Sequence, residues 1–131
     1  MAAGMNKVVL DTSALIELFD LSASGMEVRK IIEQTEEVLV PVIVLAELIS
    51  KLKRRNFEPE KFVSELEAEA CLLPLDAETA KNAASLHAEL RKTENQISLA
   101  GCIIMSHAEK EEAVIITKDS QFRNFKNILI L

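Results

Sequence analysis

Two aspartates each follow a short run of β-branched and aliphatic residues: Asp11 after KVVL (residues 7–10) and Asp119 two residues beyond AVIIT (113–117). If those runs are parallel strands, both carboxylates stand at strand carboxyl ends, where open α/β sheets gather function. Taken singly, each aspartate is also a good helix N-cap. A third carboxylate, Glu47, sits within VIVLAELISKL, apolar on nearly every side. Such a helix is expected to be buried, so Glu47 requires compensation. Either a metal or a cation supplies it, and Lys51 at i,i+4 is the local choice. Three carboxylates with no cysteine or histidine cluster beside them select a hard cation, Mg²⁺ or Mn²⁺. Sites of that type serve phosphoryl chemistry, in which a bound cation activates water and stabilises the leaving oxygen. No glycine-rich phosphate cradle is present, which favours a phosphodiester over a nucleoside triphosphate.

These residues need elements to hold them. Helical spacing of apolar residues runs from Thr12 to Phe19, LSASG (21–25) reads as a loop, and Met26 to Glu37 reads as an amphipathic helix. A second strand is expected at Val38 to Val40. Pro41 suits a first helical turn, so PVIVLAELISKLKRR continues as a helix, and another covers Pro59 to Ala70. Cys71 to Leu73 is a third strand, Asp76 an N-cap, and Ala77 to Lys92 a long alanine-rich helix. After a polar loop at residues 92–96, Ile97 to Glu111 is helical. AVIIT is a strand, Lys118 to Asn124 a tight turn with a short helix, and Ile128 to Ile130 a last strand. Short apolar strands alternating with helices imply a parallel sheet covered on both faces. The expected fold class is α/β, a single domain over residues 5–131, with residues 1–4 (MAAG) set aside as a candidate expression remnant.

With 131 residues, 49% of them hydrophobic and 27% charged, the chain has the composition of an ordinary globular domain. No apolar run is long enough for a bilayer span, and a secretory leader pattern is missing. Cys71 and Cys102 lack ligand spacing and are expected to be buried, reduced thiols in a cytoplasmic protein. The net charge of −6 argues against broad electrostatic binding to nucleic acid. Two local basic clusters stand against that background, Lys51, Lys53, Arg54 and Arg55, and Lys118, Arg123 and Lys126. Each is explained equally by a solvated helix end. Carboxylate–metal chemistry requires neither His87 nor His107 as a general base. Phe57, Phe62, Phe122 and Phe125 lack base-stacking spacing and suit core or dimer contacts.

VVLDTSALIELF, PVIVLAELISKL and VIITKDSQF together resemble a PIN domain, and the small VapC-like toxins of prokaryotic toxin–antitoxin pairs are the nearest match. The resemblance implies a three-layer α/β/α sandwich with a central parallel sheet of four to five strands. It further implies an Mg²⁺- or Mn²⁺-dependent endoribonuclease acting on single-stranded RNA. The implied partners are a second copy in a homodimer and a basic antitoxin. Carried over residue by residue, Asp11, Glu47 and Asp119 become the acidic ligands. Thr12, Ser13 and Thr117 become small polar residues beside the metal, with Ser13 or Thr117 orienting a ligand or a water.

The family also has an aspartate in a pattern like I-S-x-x-D-x-x-I-A-A-x-A. ISLAGCIIMSHA (97–108) matches that pattern, with Gly101 in the place of the acid. This departure removes a ligand and implies an impaired nuclease; an engineered change, a natural loss and a site that works with fewer ligands all account for it. Glu94, on the preceding loop, is the candidate substitute. A non-catalytic PIN scaffold, binding RNA or an antitoxin-like protein, is the competing function.

Overall fold

The computed structural model describes residues 6–131. Residues 1–5 lie outside that range, and with them the expected remnant at 1–4 and the first residue of the expected domain. Five parallel strands form one sheet: β1 (Lys7–Leu10), β2 (Glu37–Pro41), β3 (Cys71–Leu73), β4 (Val114–Thr117) and β5 (Ile128–Ile130), in the order β3-β2-β1-β4-β5. Their β-branched runs are buried from both sides, and Val8, Val9, Leu10, Val40 and Ile116 have no exposed surface. Six helices connect them: α1 (Thr12–Asp20), α2 (Ala23–Gln34), α3 (Val42–Arg54), α4 (Glu60–Glu69), α5 (Ala77–Lys92) and α6 (Leu99–Glu111). The chain steps one way from β1 to β3, then crosses back to β4. Right-handed crossovers therefore place α1 to α4 on one face and α5 and α6 on the other. The expected three-layer α/β/α sandwich is what the chain forms.

This order makes β1 and β4 the neighbours at which the winding reverses, paired in the register Val8 with Val114 and Leu10 with Ile116. Ligand sites of open α/β sheets lie outside the carboxyl ends of two such strands, and Asp11 and Asp119 stand at those ends. The register thus brings residues 108 positions apart in sequence to one edge of the sheet.

Several local expectations are revised. LSASG is not a loop throughout: α2 begins at Ala23, because the Ser22 hydroxyl accepts the Gly25 amide at 3.0 Å and caps the helix. Gly25 is required there, since a Cβ would stand 2.0 Å from the Glu17 carbonyl oxygen of α1. Strand β2 extends to Pro41, which ends the strand rather than opening the next helix. Helix α6 starts at Leu99 with Ser98 as its cap. Cys102 is buried as expected, but Cys71 is exposed because β3 is an edge strand.

Helix α5 is fixed at its start by Asp76, whose carboxylate accepts the Thr79 amide at 2.8 Å and the Lys110 ammonium of α6 at 2.9 Å. Those contacts, the Thr79 amide first, hold the Asp76 carboxyl well below the usual carboxylate range. For an acid with a depressed folded-state pKa, the stabilisation is full above the unfolded value and disappears as pH falls through the folded one. Asp76→Ala is expected to melt at a lower temperature at pH 7, with the deficit shrinking in strong acid. A deficit that does not change with pH would contradict this assignment.

Candidate active site

Asp11 is the first residue after β1, and its backbone amide continues the ladder to the Ile116 carbonyl at 3.3 Å. Its carboxylate turns back to cap α1: Oδ1 accepts the Ala14 amide at 3.1 Å and the Ser13 hydroxyl at 2.7 Å. Oδ2 accepts the Thr117 hydroxyl at 2.6 Å. Thr117 ends β4, is fully buried, and accepts the Asp119 amide on the same Oγ1 at 2.9 Å. Ser13 Oγ lies 3.2 Å from that oxygen and accepts the Lys118 amide at 2.9 Å. Thr117 and Ser13 therefore stitch the β4 turn to the Asp11 carboxylate. Asp119 caps the short 3-10 helix Ser120–Phe122 through the Gln121 amide at 3.0 Å. Both aspartates thus serve as N-caps.

Asp11 is 4% exposed. Burial, the largest influence, raises its carboxyl pKa; hydrogen bonds from Thr117, Ser13 and Ala14 oppose it, and the Asp119 charge adds to the rise. Every hydrogen bond that Asp11 receives comes from a neutral donor. The neighbouring basic residue, Lys118, points elsewhere, its ammonium 3.1 Å from the Glu17 carboxylate. Hydrogen bonds from Ser22 and then Lys118 hold Glu17 below the ordinary glutamate range.

Glu47 departs from expectation. It is half-buried rather than buried, because α3 packs through Val44, Leu48 and Leu52 and leaves its other side open. Its Oε1 accepts the Thr12 hydroxyl at 3.1 Å, and among the described residues it forms no ion pair with Lys51. Thr12, itself 6% exposed, so ties Glu47 to the residue next to Asp11. Among the described residues no group of three or more histidines, cysteines or acids closes into a metal cage.

A divalent ion does not need one, since Mg²⁺ is commonly held by one or two carboxylates with waters and substrate phosphate. Asp11 and Asp119 supply oxygen donors only and carry like charge, and among the described residues no lysine or arginine bonds Asp11. That donor set fits a hard cation.

Gly101 is buried in the first turn of α6, its amide donating to the Ser98 hydroxyl at 2.9 Å. The side chain facing it is Gln121, a residue that sequence reasoning did not single out. Its Oε1 accepts from the Ser98 amide at 3.0 Å, while its Nε2 donates to Asp119 Oδ2 at 2.5 Å. The available signal was a long amide two residues after an acid, facing a helix that lacks a side chain. Glu94 is exposed after α5, in left-handed backbone with φ 63°, and its side chain bonds none of the site residues.

Beside Ser13 lies a cleft of about 370 Å³, lined by Ser13, Ile16, Glu17, Lys51, Arg54 and Arg55. Arg55 is held by Asp20 at 2.8 Å, whereas Lys51 and Arg54 have no ion-pair partner among the described residues. The second basic cluster is exposed and dispersed over the β4–β5 connection. His107 is buried on α6, and burial lowers its pKa; His87 is half-buried on α5. Phe122 is fully buried under the β4 turn, while Phe57 and Phe62 pack edge-on to Phe19.

Fold and geometry define a class: a doubly wound α/β domain with two carboxylates at its switch point and a basic cleft alongside. The PIN domain family model matches residues 8–128, and the chain belongs to the PIN domain family. PIN nucleases generally use divalent metal ions.

Solved structures share the fold at low identity. A toxin–antitoxin complex from Klebsiella pneumoniae superposes with a TM-score of 0.75 at 18% identity, covering 93% of this chain and 95% of that one. A DNA-bound VapBC from Salmonella typhimurium gives 0.74 at 22% identity, covering 97% and 98%. The VapC20 toxin of Mycobacterium tuberculosis, which cleaves the sarcin–ricin loop, gives 0.68 at 15% identity, covering 88% and 92%. No curated protein matches at the sequence level. Among the described residues no helix is long and apolar enough to cross a membrane.

Proposed function

We propose that this chain is an Mg²⁺- or Mn²⁺-dependent endoribonuclease of the VapC toxin type, hydrolysing phosphodiester bonds in single-stranded RNA. The observation that carries the proposal is the pair Asp11 and Asp119, joined through Thr117 and lacking a cation of their own. Asp11 and Asp119 are the acids that hold the ion; Glu47, tied to Thr12, is the third acid that the family resemblance assigns to the site. When bound, a divalent cation supplies water of lowered pKa and charge neutralisation at the phosphodiester. The chain supplies the rest. Thr117 and Ser13 fix the Asp11 carboxylate in one orientation. Lys51 and Arg54 offer the cleft's cations to phosphates flanking the scissile bond.

Cleavage of labelled single-stranded RNA with Mg²⁺ or Mn²⁺, abolished by EDTA, tests this reading. Absence of cleavage with either ion, despite RNA binding, would decide for the non-catalytic scaffold. Gly101, standing where the family pattern carries an acid, is the observation favouring that alternative. The toxin–antitoxin neighbours support an antitoxin as partner; that it is basic, and that the chain forms a homodimer, complete the proposed assembly.

The cleft gives a separate expectation. Lys51→Ala and Arg54→Ala should each raise KM several-fold with little change in kcat. Each should also flatten the dependence of log affinity on log salt by about 0.7, the value for one single-strand phosphate contact. A salt slope identical to that of the unsubstituted protein would remove the cleft from the RNA path.

A further inference from the structure

We propose that Gln121 is a positioning residue of the acidic site: its side-chain amide fills the space left at Gly101 and aligns Asp119 against the start of α6. Three observations converge on it. Both ends of the amide are used, with Oε1 accepting from the Ser98 amide at 3.0 Å and its hydroxyl at 3.2 Å, and Nε2 donating to Asp119 Oδ2 at 2.5 Å. Only one orientation satisfies this pattern, because a flipped amide sets its carbonyl oxygen against a carboxylate. The same residue's backbone amide takes the other Asp119 oxygen at 3.0 Å, so both carboxylate oxygens answer to Gln121.

The third observation is steric. A Cβ at position 101 would stand 2.8 Å from Gln121 Oε1 and 2.9 Å from Ile97 Cγ1. Real Cβ contacts do not approach that closely, so a side chain at 101 requires the Gln121 amide and the Ile97 side chain to shift from their present positions. The glycine and the glutamine are thus two halves of one arrangement. A neutral amide stands where a side chain from α6 would otherwise enter. It anchors Asp119 to the capping donors of α6 through Ser98, at lower total negative charge. Restoring an acid at 101 alone then displaces the Gln121 amide from the position in which it holds Asp119.

The cation part of this inference rests on the proposed metal-dependent reading, while the hydrogen-bond part does not, and the experiment separates them. In EDTA-treated, ¹⁵N-labelled protein, the Gln121 side-chain amide pair is expected away from free-amide positions and to move in both Asp119→Asn and Gly101→Ala. A free-amide signal, or one indifferent to both substitutions, overturns the proposal. With Mn²⁺ alone, calorimetry should find Gln121→Ala about 10- to 100-fold weaker, the usual loss when a ligand's supporting partner is removed.

Gly101→Asp should give no gain while Gln121 is present, and about a tenfold gain in the Gln121→Ala background. Equal gains in both backgrounds overturn this coupling of positions 101 and 121. Melting curves establish that each variant is folded, and Gln121→Glu, which keeps the length but loses the amide donor, serves where Gly101→Asp fails to fold. Gln121→Glu retaining the Mn²⁺ affinity and metal-free Asp119 resonances of the parent would also count against the proposal. If no variant binds Mn²⁺ while the metal-free signature holds, the nuclease reading falls and the Gln121 assignment stands.

Discussion

Asp11→Asn is expected to abolish RNA cleavage and, in the absence of metal, to raise the melting temperature. The side chain is isosteric and keeps an oxygen for the Ala14 amide and the Ser13 hydroxyl. What it loses is the negative charge and the acceptor at Oδ2, where an NH2 group meets the Thr117 hydroxyl oxygen instead. Removing a residue that merely supports a ligand costs about 10- to 100-fold; removing the buried ligand charge should exceed that, on the order of 1000-fold in kcat/KM. Stability moves the other way because Asp11 is buried with no cationic partner, and burial raises its pKa in the fold.

The sign of the pH dependence follows from that direction. Between the unfolded value near 3.8 and the raised folded value, the native state binds more protons than the unfolded chain. Stability therefore declines as pH rises through that window, and the cost is complete above it. The gain from Asp11→Asn should be present at pH 7, at roughly 3 °C per kcal/mol for a domain of this size, and should vanish in acid. Saturating Mn²⁺ reverses the ranking, because only the unsubstituted protein gains binding energy, about 2.7 kcal/mol at a hundred times Kd. Calorimetric melts with EDTA and with Mn²⁺ at several pH values check all of this. A variant that melts below the parent at pH 7 in EDTA would refute the unpaired-charge account.

The two aspartates were legible because strands announce their ends. A run such as VVL or VIIT needs parallel neighbours on both sides, and the first polar residue after it must emerge at the sheet's edge. Glu47 was misjudged because apolar residues flank it along the chain. Burial of α3 is decided by which of them face the sheet and α1, and Val44, Leu48 and Leu52 suffice, leaving Val42 and Ala46 in solvent. Cys71 shows the same limit, since nothing local says that β3 is the last strand on its side.

Gln121 was illegible for a further reason. Its meaning lies in a gap on another helix, and that helix meets it only through the crossover from α6 to β4. The missing acid at Gly101 could be read by resemblance to the PIN pattern. What fills the gap is a tertiary fact, built from Ser98, Gln121 and Asp119, which lie up to 23 positions apart.

Thr117→Val provides the sharper counterpart to Asp11→Asn, because it leaves every charge in place. Valine keeps the volume and the β-branch that suit the end of β4, so the strand should form. It removes the hydroxyl that donates to Asp11 Oδ2 at 2.6 Å and accepts the Asp119 amide at 2.9 Å. A buried carboxylate oxygen and a backbone amide then lose their partner together, at about 1–3 kcal/mol for each unsatisfied group. The Thr117 hydrogen bond is also the largest influence opposing the rise in the Asp11 pKa, so its loss pushes that carboxyl further up.

Thr117→Val should therefore lower the metal-free melting temperature, weaken Mn²⁺ binding about 10- to 100-fold, and shift the acid limb of the cleavage profile to higher pH. Thr117→Ser, which keeps the hydroxyl, should restore most of each quantity. If valine behaves like serine in Mn²⁺ affinity and pH profile, Thr117 does not join the two acids. The paired substitutions separate two causes of inactivity: losing the charge at position 11 relieves the fold, whereas losing the hydroxyl at 117 leaves the charge in place, worse solvated, and loosens the turn that carries its companion.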